Sequence, residues 1–402
     1  GQIGGRAMNI PSGEYRFGRI ERIVFGAGKV AGLADETERR DLRRAVVITG
    51  KTLGRSKLLG KVTSPLANRL AGVFTDTQQH VPSRTVQDAI DFAMDRDADC
   101  LVSFGGGSPI DTAKAVAMAF LTGRRSLQSG EIGLRRTNPE RGDLAGREIV
   151  HIAIPTTLSA GEFTAFAGIT DEKTKIKGGV GDARLQARTI ILDPELTTET
   201  PGWLWACTAI RALDHAVESS YSVRHQIYTD TLASKAIELI TSSLLPSMQT
   251  QGADELAHRS LCQLAAWFSI AGAGNGMGLS HALGHQIGAR WDVPHGITSC
   301  ITLPHVMRFM ADIAPEGFAA IAQGLGIRFD PASPHLGALE CADRVARFIS
   351  RLELRNRLSQ FDISRDEIFS IVDPVMREIN HARTTPRPVT RSEIELLLQA
   401  AY

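Results

Sequence analysis

Short apolar runs alternate with helical patterns through the first half of this 402-residue chain and then stop. Strands separated by helices form a mainly parallel sheet with helices on its faces. After Asp193 and Pro194 only helical patterns remain, interrupted by glycine and proline. We therefore predict an α/β domain over residues 8–197 and an all-helical domain over 198–402, with a cleft between them. The predicted strands are 43–50, 71–76, 99–107, 149–157 and 189–193, and the clearest helices in the first half are 86–96 and 109–120.

Composition excludes several classes of protein. Lys plus Arg (45) nearly balance Asp plus Glu (44), so no global charge favours binding to nucleic acid or to an anionic membrane. No apolar run approaches the ~20 residues needed to cross a bilayer, and the N-terminus lacks the apolar core of a signal peptide. The opening GQIGGRAM is typical of an expression remnant ahead of the native start, and no element of the fold is predicted from it. Five scattered cysteines without CxxC spacing indicate reduced thiols, and we expect a cytoplasmic enzyme.

A glycine-rich turn joins the predicted strand DCLVSF to the helix IDTAKAVAMAF. Glycines let backbone amides approach a pyrophosphate, and the helix N-terminus adds unpaired N–H groups and a positive dipole end. Asp111 and Lys114 lie near the start of that helix and are further candidate ligands, although Asp111 could merely favour the helix N-terminus and Lys114 could be solvated. Without a nucleotide, the glycines would serve a tight turn. The predicted cofactor cradle comprises Gly105, Gly106, Gly107, Ser108 and Asp111.

A second loop, PTTLSAGEFT, leaves the predicted strand 149–157 with clustered hydroxyl groups. Ligands of open α/β sheets bind beyond the carboxyl ends of the strands, so Thr156, Thr157 and Ser159 are candidate cofactor ligands. They could equally cap a following helix. Lys177 is a candidate for the ribose or a substrate carboxylate, with a solvated surface lysine as the alternative.

Histidines concentrate in the second half. His281 and His285 are four residues apart and share one face of a helix, and His295 follows a proline that we expect to end that helix. His215 could join them from another helix, and such a cluster ordinarily indicates a metal. One turn before His215 stands Arg211, whose guanidinium stays protonated and cannot ligate a cation.

FGAGK, GGGSPIDTAKAVA, IPTT, LDPELT, HAVE, HALGH and PHG occur in this order over nearly the whole chain. The set resembles the iron-containing alcohol dehydrogenase superfamily. The resemblance implies a dehydroquinate synthase-like fold, hydride transfer between NAD(P) and a carbonyl or alcohol carbon, and a homodimer. In metal-dependent members an aspartate one turn before the HAVE histidine binds iron or zinc with three histidines, here His215, His281 and His295. Arg211 replaces that aspartate, and the adjacent Asp214 points about 100° away from His215 on a helix.

Other segments resemble the maleylacetate reductase branch, whose members work without metal. The loop TTLSAGEFT is similar in length to the short loop of that branch, and AGVFTDTQQHVP and GDARLQARTIILDPELT are similar to it. GGGSPIDTAKA and PHGITS are closer to the alcohol dehydrogenases, and Ser299 stands where the branch usually has a histidine.

These features predict an NAD(P)H-dependent, metal-independent reductase of an oxo acid such as maleylacetate. Arg211 would clamp a carboxylate or oxyanion, because its planar fork binds two oxygens at once. His285 would be the general acid, with His281, His215 and His295 orienting substrate or relaying protons. Alternatively, Arg211 forms a structural ion pair with Glu218 or Asp214.

Two other functions remain open. The first is a metal-dependent alcohol dehydrogenase in which His215, His281 and His295 hold Fe or Zn despite Arg211. The second is a non-catalytic nucleotide-binding homologue. For either enzyme, no acidic residue follows the predicted strand 43–50, so both NADH and NADPH should be accepted. The expected partner is a small carbonyl or oxo-acid substrate, with neither nucleic acid nor membrane.

Overall fold

The computed structural model describes residues 13–127, 144–172 and 177–402, and a six-stranded parallel sheet forms its first domain. The strand order is β1-β8-β5-β4-β2-β3, and β6 and β7 pair separately as an antiparallel hairpin. Every residue of β4 is buried, as expected for a parallel strand covered by helices on both faces. The strands are β1 Arg22–Phe25, β2 Ala45–Gly50, β3 Leu70–Thr77, β4 Cys100–Gly105, β5 Val150–Pro155, β6 Phe166–Thr170, β7 Lys177–Gly181 and β8 Thr189–Leu192.

Nine helices follow β8, and within the described residues no strand does. The predicted α/β domain and helical domain are therefore confirmed as the fold class. In the first domain the helices are α1 Leu33–Arg39, α2 Lys51–Gly54, α3 Leu58–Thr63, α4 Ser83–Met94 and α5 Gly107–Thr122. In the second they are α6 Gly202–Tyr221, α7 Ile227–Gln249, α8 Gly252–Ser269, α9 Leu279–Trp291, α10 His295–Ile313, α11 Ala319–Leu325, α12 Pro334–Ser350, α13 Val372–Ala382 and α14 Arg391–Ala401.

Short 3-10 helices join many of these elements: Lys29–Gly32, Ser64–Arg69, Gly161–Phe163, Ala183–Leu185, Pro194–Thr197, Ile270–Asn275, Pro315–Phe318, Leu358–Gln360 and Glu367–Ile371. Across the described ranges, no helix is both long and apolar enough to span a bilayer.

The sequence patterns do not predict strands β1, β6 and β7. Strand β1 is a four-residue edge strand with no buried residue, so its pattern lacks the continuous apolar run of the central strands. The hairpin strands FAGIT and KGGVG are rich in glycine, which is depleted in strands. The segment 122–148, predicted to be an exposed excursion, lies largely outside the described residues.

Helix α6 is the central element of the helical domain. Nearly all its residues from Trp205 onward are buried, because its sequence is apolar on almost every side and α7, α8 and α10 surround it. The few polar residues on α6 therefore lie inside the protein. Such groups must find partners there or face a cavity, since burying an unpaired polar group is costly.

The connection between α9 and α10 differs from the prediction. Helix α9 ends at Trp291 and Asp292 adopts the left-handed conformation (φ 55°). Pro294 then precedes α10, whose first residue is His295. The proline thus lies immediately before the next helix and does not end α9. Its fixed φ is compatible with a position at a helix N-terminus.

The sheet topology places a crevice between β2 and β4. From β2 the chain moves to the edge strand β3, and from β4 it moves in the opposite direction to β5. Ligands of open α/β sheets bind at the carboxyl ends of strands at such a reversal. The helical domain closes over this edge, because Leu158 N, beyond β5, donates to Thr208 Oγ1 of α6 at 3.1 Å. An ion pair of 2.9 Å between His80 Nε2 and Asp292 Oδ1 also joins the two domains.

Candidate active site

The glycine turn after β4 fits a pyrophosphate group. Gly105 has φ +141°, a conformation that side chains disfavour. A Cβ on Gly106 would lie 3.0 Å from Thr157 Cγ2, whereas one on Gly107 would point into open space. No side chain caps the N-terminus of α5, so its amides are available to an anion. The backbone thus forms a cradle suited to the phosphates of a dinucleotide.

Hydroxyl groups of the second loop lie beside this cradle. Thr156 N donates to Gly105 O at 2.9 Å, which ties the two loops together. Thr157 Oγ1 and Ser159 Oγ share a hydrogen bond of 2.9 Å. Ser108 is the second residue of α5. The candidate ligands from the two loops are therefore neighbours, although their binding role stays a prediction.

Two polar residues of α5 hold the structure around the second loop. Lys114 is fully buried, contrary to a solvated surface lysine, and its Nζ donates to Gly161 O at 2.6 Å, Thr164 Oγ1 at 3.0 Å and Phe166 O at 2.9 Å. Asp111 Oδ2 accepts from Gly168 N at 3.0 Å. Lys114 therefore positions loop backbone, and Asp111 connects α5 to the β6–β7 hairpin. Lys177 begins β7, and its side chain lies outside the described part of the chain.

The four predicted histidines form one row. His215 of α6 and His281 of α9 stack with ring centroids 5.0 Å apart. His281 and His285 follow at 6.4 Å, and His285 and His295 at 6.2 Å. His215 and His281 at one end of the row are buried, His285 is exposed, and His295 at the other end is of intermediate exposure. Sequence spacing on α9 accounts for one of these contacts, and the other two depend on helix packing.

Glu218 fixes the orientation of His281. The carboxylate of Glu218 accepts from His281 Nδ1 at 2.6 Å and from the backbone N–H groups of Gly278, Ser280 and His281 at the start of α9. Burial raises the pKa of Glu218, and burial together with the charge of Arg211 lowers that of His281. Because Nδ1 is engaged, His281 Nε2 is left buried without a hydrogen-bond partner.

Arg211 makes no direct ion pair with any described residue, so the predicted alternative of a structural pair with Glu218 or Asp214 is wrong. Its one hydrogen bond runs from Nη1 to Ser299 Oγ of α10 at 3.2 Å. Ser299 Oγ in turn donates to Asp214 Oδ2 at 2.7 Å. Burial lowers the pKa of Arg211, with Asp214, Glu218 and Glu378 opposing the shift, and a guanidinium remains protonated in proteins.

The guanidinium lies against α9. A Cβ on Gly284, between His281 and His285, would lie 3.6 Å from Arg211 Nη1, which is an ordinary van der Waals distance and shows that the guanidinium packs against this turn of α9. Arg211 and the histidine row therefore share one site. A cation with unused N–H donors beside titratable imidazoles can hold an anion and supply a proton to it.

Glu378 of α13 is a partner that the sequence did not indicate. Its Oε1 accepts from His285 Nδ1 at 2.6 Å, and its Oε2 accepts from Gln286 Nε2 at 3.0 Å. The side chains of His285 and Glu378 are 43% and 34% exposed, in contrast to the buried His281. His285 can therefore exchange protons with solvent while Glu378 fixes its ring orientation.

The donor atoms present do not fit a divalent metal. In the described parts of the chain, one group of three potential ligands, Asp214, Glu218 and His281, has its atoms within 4.8 Å of one another. Yet His281 Nδ1 and Glu218 Oε2 are 2.6 Å apart, whereas two tetrahedral ligands about 2.1 Å from a metal lie roughly 3.4 Å apart. His215, His281 and His295 form no such convergent group. The charge of Arg211 beside His281 further opposes a cation there.

Comparisons with known proteins establish the class. Residues 21–194 match the profile of the iron-containing alcohol dehydrogenase family, and residues 205–402 match that of the Fe-containing alcohol dehydrogenase family, C-terminal. The chain therefore belongs to the iron-containing alcohol dehydrogenase family, whose members are oxidoreductases.

Individual relatives have several different oxidoreductase activities. The chain is 31% identical to a maleylacetate reductase of Burkholderia cepacia, with 96% of each chain covered. It is 27% identical to an NAD-dependent methanol dehydrogenase of Bacillus methanolicus, covering 94% of this chain and 97% of the relative. The crystal structure of maleylacetate reductase from Agrobacterium tumefaciens superposes with a TM-score of 0.78 at 25% identity, over 98% of this chain and 99% of that one.

Proposed function

We propose that this protein is an NAD(P)H-dependent reductase of an oxo acid that works without a bound metal. The observation that carries the proposal is Arg211, a guanidinium that forms no direct ion pair with any described carboxylate and lies at the histidine row. A partly buried cation of this kind favours an anionic ligand, because water screens the interaction less there than at the surface. A substrate carboxylate is the simplest such ligand.

The glycine cradle and the adjoining hydroxyls would hold the cofactor, consistent with the nicotinamide dependence named for one relative. The site fits NADH or NADPH, and a bound nicotinamide would supply the hydride that is transferred to the electrophilic carbon. Thr157 and Gly106 pack together, so the second loop would follow the pyrophosphate closely.

The protein's own residues then have separate tasks. Arg211 would bind the substrate carboxylate and so orient the substrate. His285, held by Glu378 and open to solvent, would donate the proton that completes the reduction. His281, with Nδ1 tied to Glu218, presents Nε2 as an acceptor for substrate or for a proton in the row.

A substrate panel with metal control tests this function. Purified protein is treated with EDTA, its metal content is measured by mass spectrometry, and oxidation of NADH and NADPH is followed with maleylacetate, other oxo acids and neutral aldehydes. We expect reduction of an oxo acid at the same rate before and after chelation. Activity toward aldehydes that disappears with EDTA and returns with Fe²⁺ or Zn²⁺ would instead support a metal-dependent alcohol dehydrogenase. Absence of turnover with every compound would support a non-catalytic homologue.

A further inference from the structure

Among the described residues, Arg211 is held by one hydrogen bond and by no direct ion pair. Asp214 and Glu218 lie on the same helix, α6, yet neither pairs with Arg211 directly. Glu218 is occupied by His281 and by the start of α9, and Asp214 Oδ2 accepts from the hydroxyls of Ser280 and Ser299. Ser299 thus stands between the arginine and the carboxylate.

The chemistry of the three groups fixes the direction of these hydrogen bonds. A guanidinium can only donate, so Ser299 Oγ must accept from Arg211 Nη1. The single hydroxyl proton of Ser299 is then available for Asp214 Oδ2. Since Ser299 is fully buried, no water competes for either bond. The serine is locked in one orientation by its two neighbours.

This arrangement leaves the arginine available. A direct pair with Asp214 would occupy the N–H fork that a carboxylate ligand needs. Through Ser299 the guanidinium uses only one of its five N–H donors in a hydrogen bond to a described residue. Burial lowers the pKa of Arg211, and the nearby Asp214 opposes this shift.

We propose that Ser299 is a positioning residue that holds Arg211 with its N–H fork toward the substrate carboxylate. The inference rests on the proposed function. It predicts that Ser299 governs the affinity for carboxylate-bearing substrates and not the rate of the chemical step, because Ser299 acts through Arg211 and not on the reacting atoms.

Ser280 provides a matched control. Like Ser299 it is fully buried and donates to Asp214 Oδ2, at 2.8 Å, but it does not contact Arg211. We expect Ser299→Ala to raise the KM for the oxo acid roughly 5- to 20-fold with kcat within about twofold, from loss of one hydrogen bond to a charged group. Ser280→Ala should leave KM unchanged. Equal KM values for both variants would overturn the proposal.

Binding of an unreactive anion gives a readout independent of turnover. The dissociation constant of maleate, a dicarboxylate without a carbonyl to reduce, is measured by calorimetry for the full-length protein with NADH present. Ser299→Ala should weaken maleate binding by the same factor as it raises KM, and unchanged binding contradicts the positioning role. Ser299→Cys, which accepts hydrogen bonds weakly, replaces the alanine variant if that protein is insoluble.

A double variant separates this inference from the proposed function. If Ser299 acts through Arg211, then Arg211→Ala/Ser299→Ala should bind maleate no more weakly than Arg211→Ala alone. Additive losses would mean that Ser299 acts independently and would refute the positioning role, leaving Arg211 as the clamp. If Arg211→Ala itself leaves KM and maleate binding unchanged, the proposed function is wrong.

Discussion

Replacing Arg211 by alanine should weaken substrate binding far more than it slows turnover. Within the described ranges the guanidinium has one hydrogen bond, to Ser299, and its remaining donors would be available to a substrate carboxylate. Losing a desolvated charged hydrogen-bonded pair costs about 2 to 3 kcal/mol, which corresponds to roughly 30- to 150-fold in KM. Because a carboxylate remote from the reacting carbon is bound equally in the ground and transition states, kcat should change much less.

The assay is the initial rate of NADH oxidation against oxo-acid concentration, with circular dichroism to confirm that the variant is folded. Arg290→Ala is the matched control, because Arg290 is an exposed arginine of α9, the helix that carries His281 and His285. Its removal changes the net charge equally but should leave KM within about twofold, since exposed charges are screened. An Arg211→Ala variant with unchanged KM and a lowered melting temperature would show that the arginine is structural, and the reasoning would fail.

Three further predictions concern other parts of the molecule. Gly106→Val should reduce NADH affinity at least about tenfold in a fluorescence titration, because even a Cβ at this position would lie 3.0 Å from Thr157 Cγ2. Wild-type affinity in this variant would mean that the nucleotide binds elsewhere. Glu378→Gln should lower kcat roughly tenfold or more with little change in KM, because His285 loses its charged partner. The control is Asp312→Asn, which alters a comparable exposed pair, His335 Nε2 and Asp312 Oδ1 at 2.8 Å, and should leave kcat unchanged. Equal effects of the two variants on kcat would exclude a role for Glu378. Burial lowers the pKa of His151 to about 3, so below about pH 6.5 the unfolded state binds a proton that the folded state does not. The free energy of unfolding therefore falls as the pH drops, by about 2 kcal/mol at pH 5 from this residue. His151→Gln should remove this contribution and so reduce the pH dependence of the melting temperature.

Most of the fold could be predicted from the sequence, because the central strands and the helices carry strong local patterns. Strand β4 is a continuous buried run that leads into a glycine turn, and both features can be recognised in the short stretch of sequence 100–107. The strand β1 and the β6–β7 hairpin could not be predicted in this way. Strand β1 has no buried residue, and its stability comes from pairing with β8, more than 160 residues away in the sequence (Arg22 with Thr189).

In the candidate site, too, some residues could be predicted from the sequence and their partners could not. The resemblance to a known family and the spacing of the histidines indicated Arg211 and the row. The partners that determine what these residues can do come from distant helices: Glu378 lies 93 residues from His285, and Ser299 lies 88 residues from Arg211. The acid Asp214 is adjacent to His215 in sequence but faces away from it toward two serines. Partners of buried polar groups depend on helix packing, which a local pattern does not specify.

The replacement of a metal-ligating aspartate by Arg211 changes which substrates the proposed site can favour. A divalent metal acts as a Lewis acid through an open coordination position and can polarise a single carbonyl oxygen of a neutral aldehyde. A guanidinium presents a planar fork that matches two oxygens and therefore favours a carboxylate. With Ser299 and Asp214 holding that fork and Glu218 and Glu378 orienting the neighbouring imidazoles, positive charge and proton donor are supplied by different side chains. Selectivity for oxo acids over aldehydes is then the expected consequence, because only an oxo acid can use the arginine and the histidines together.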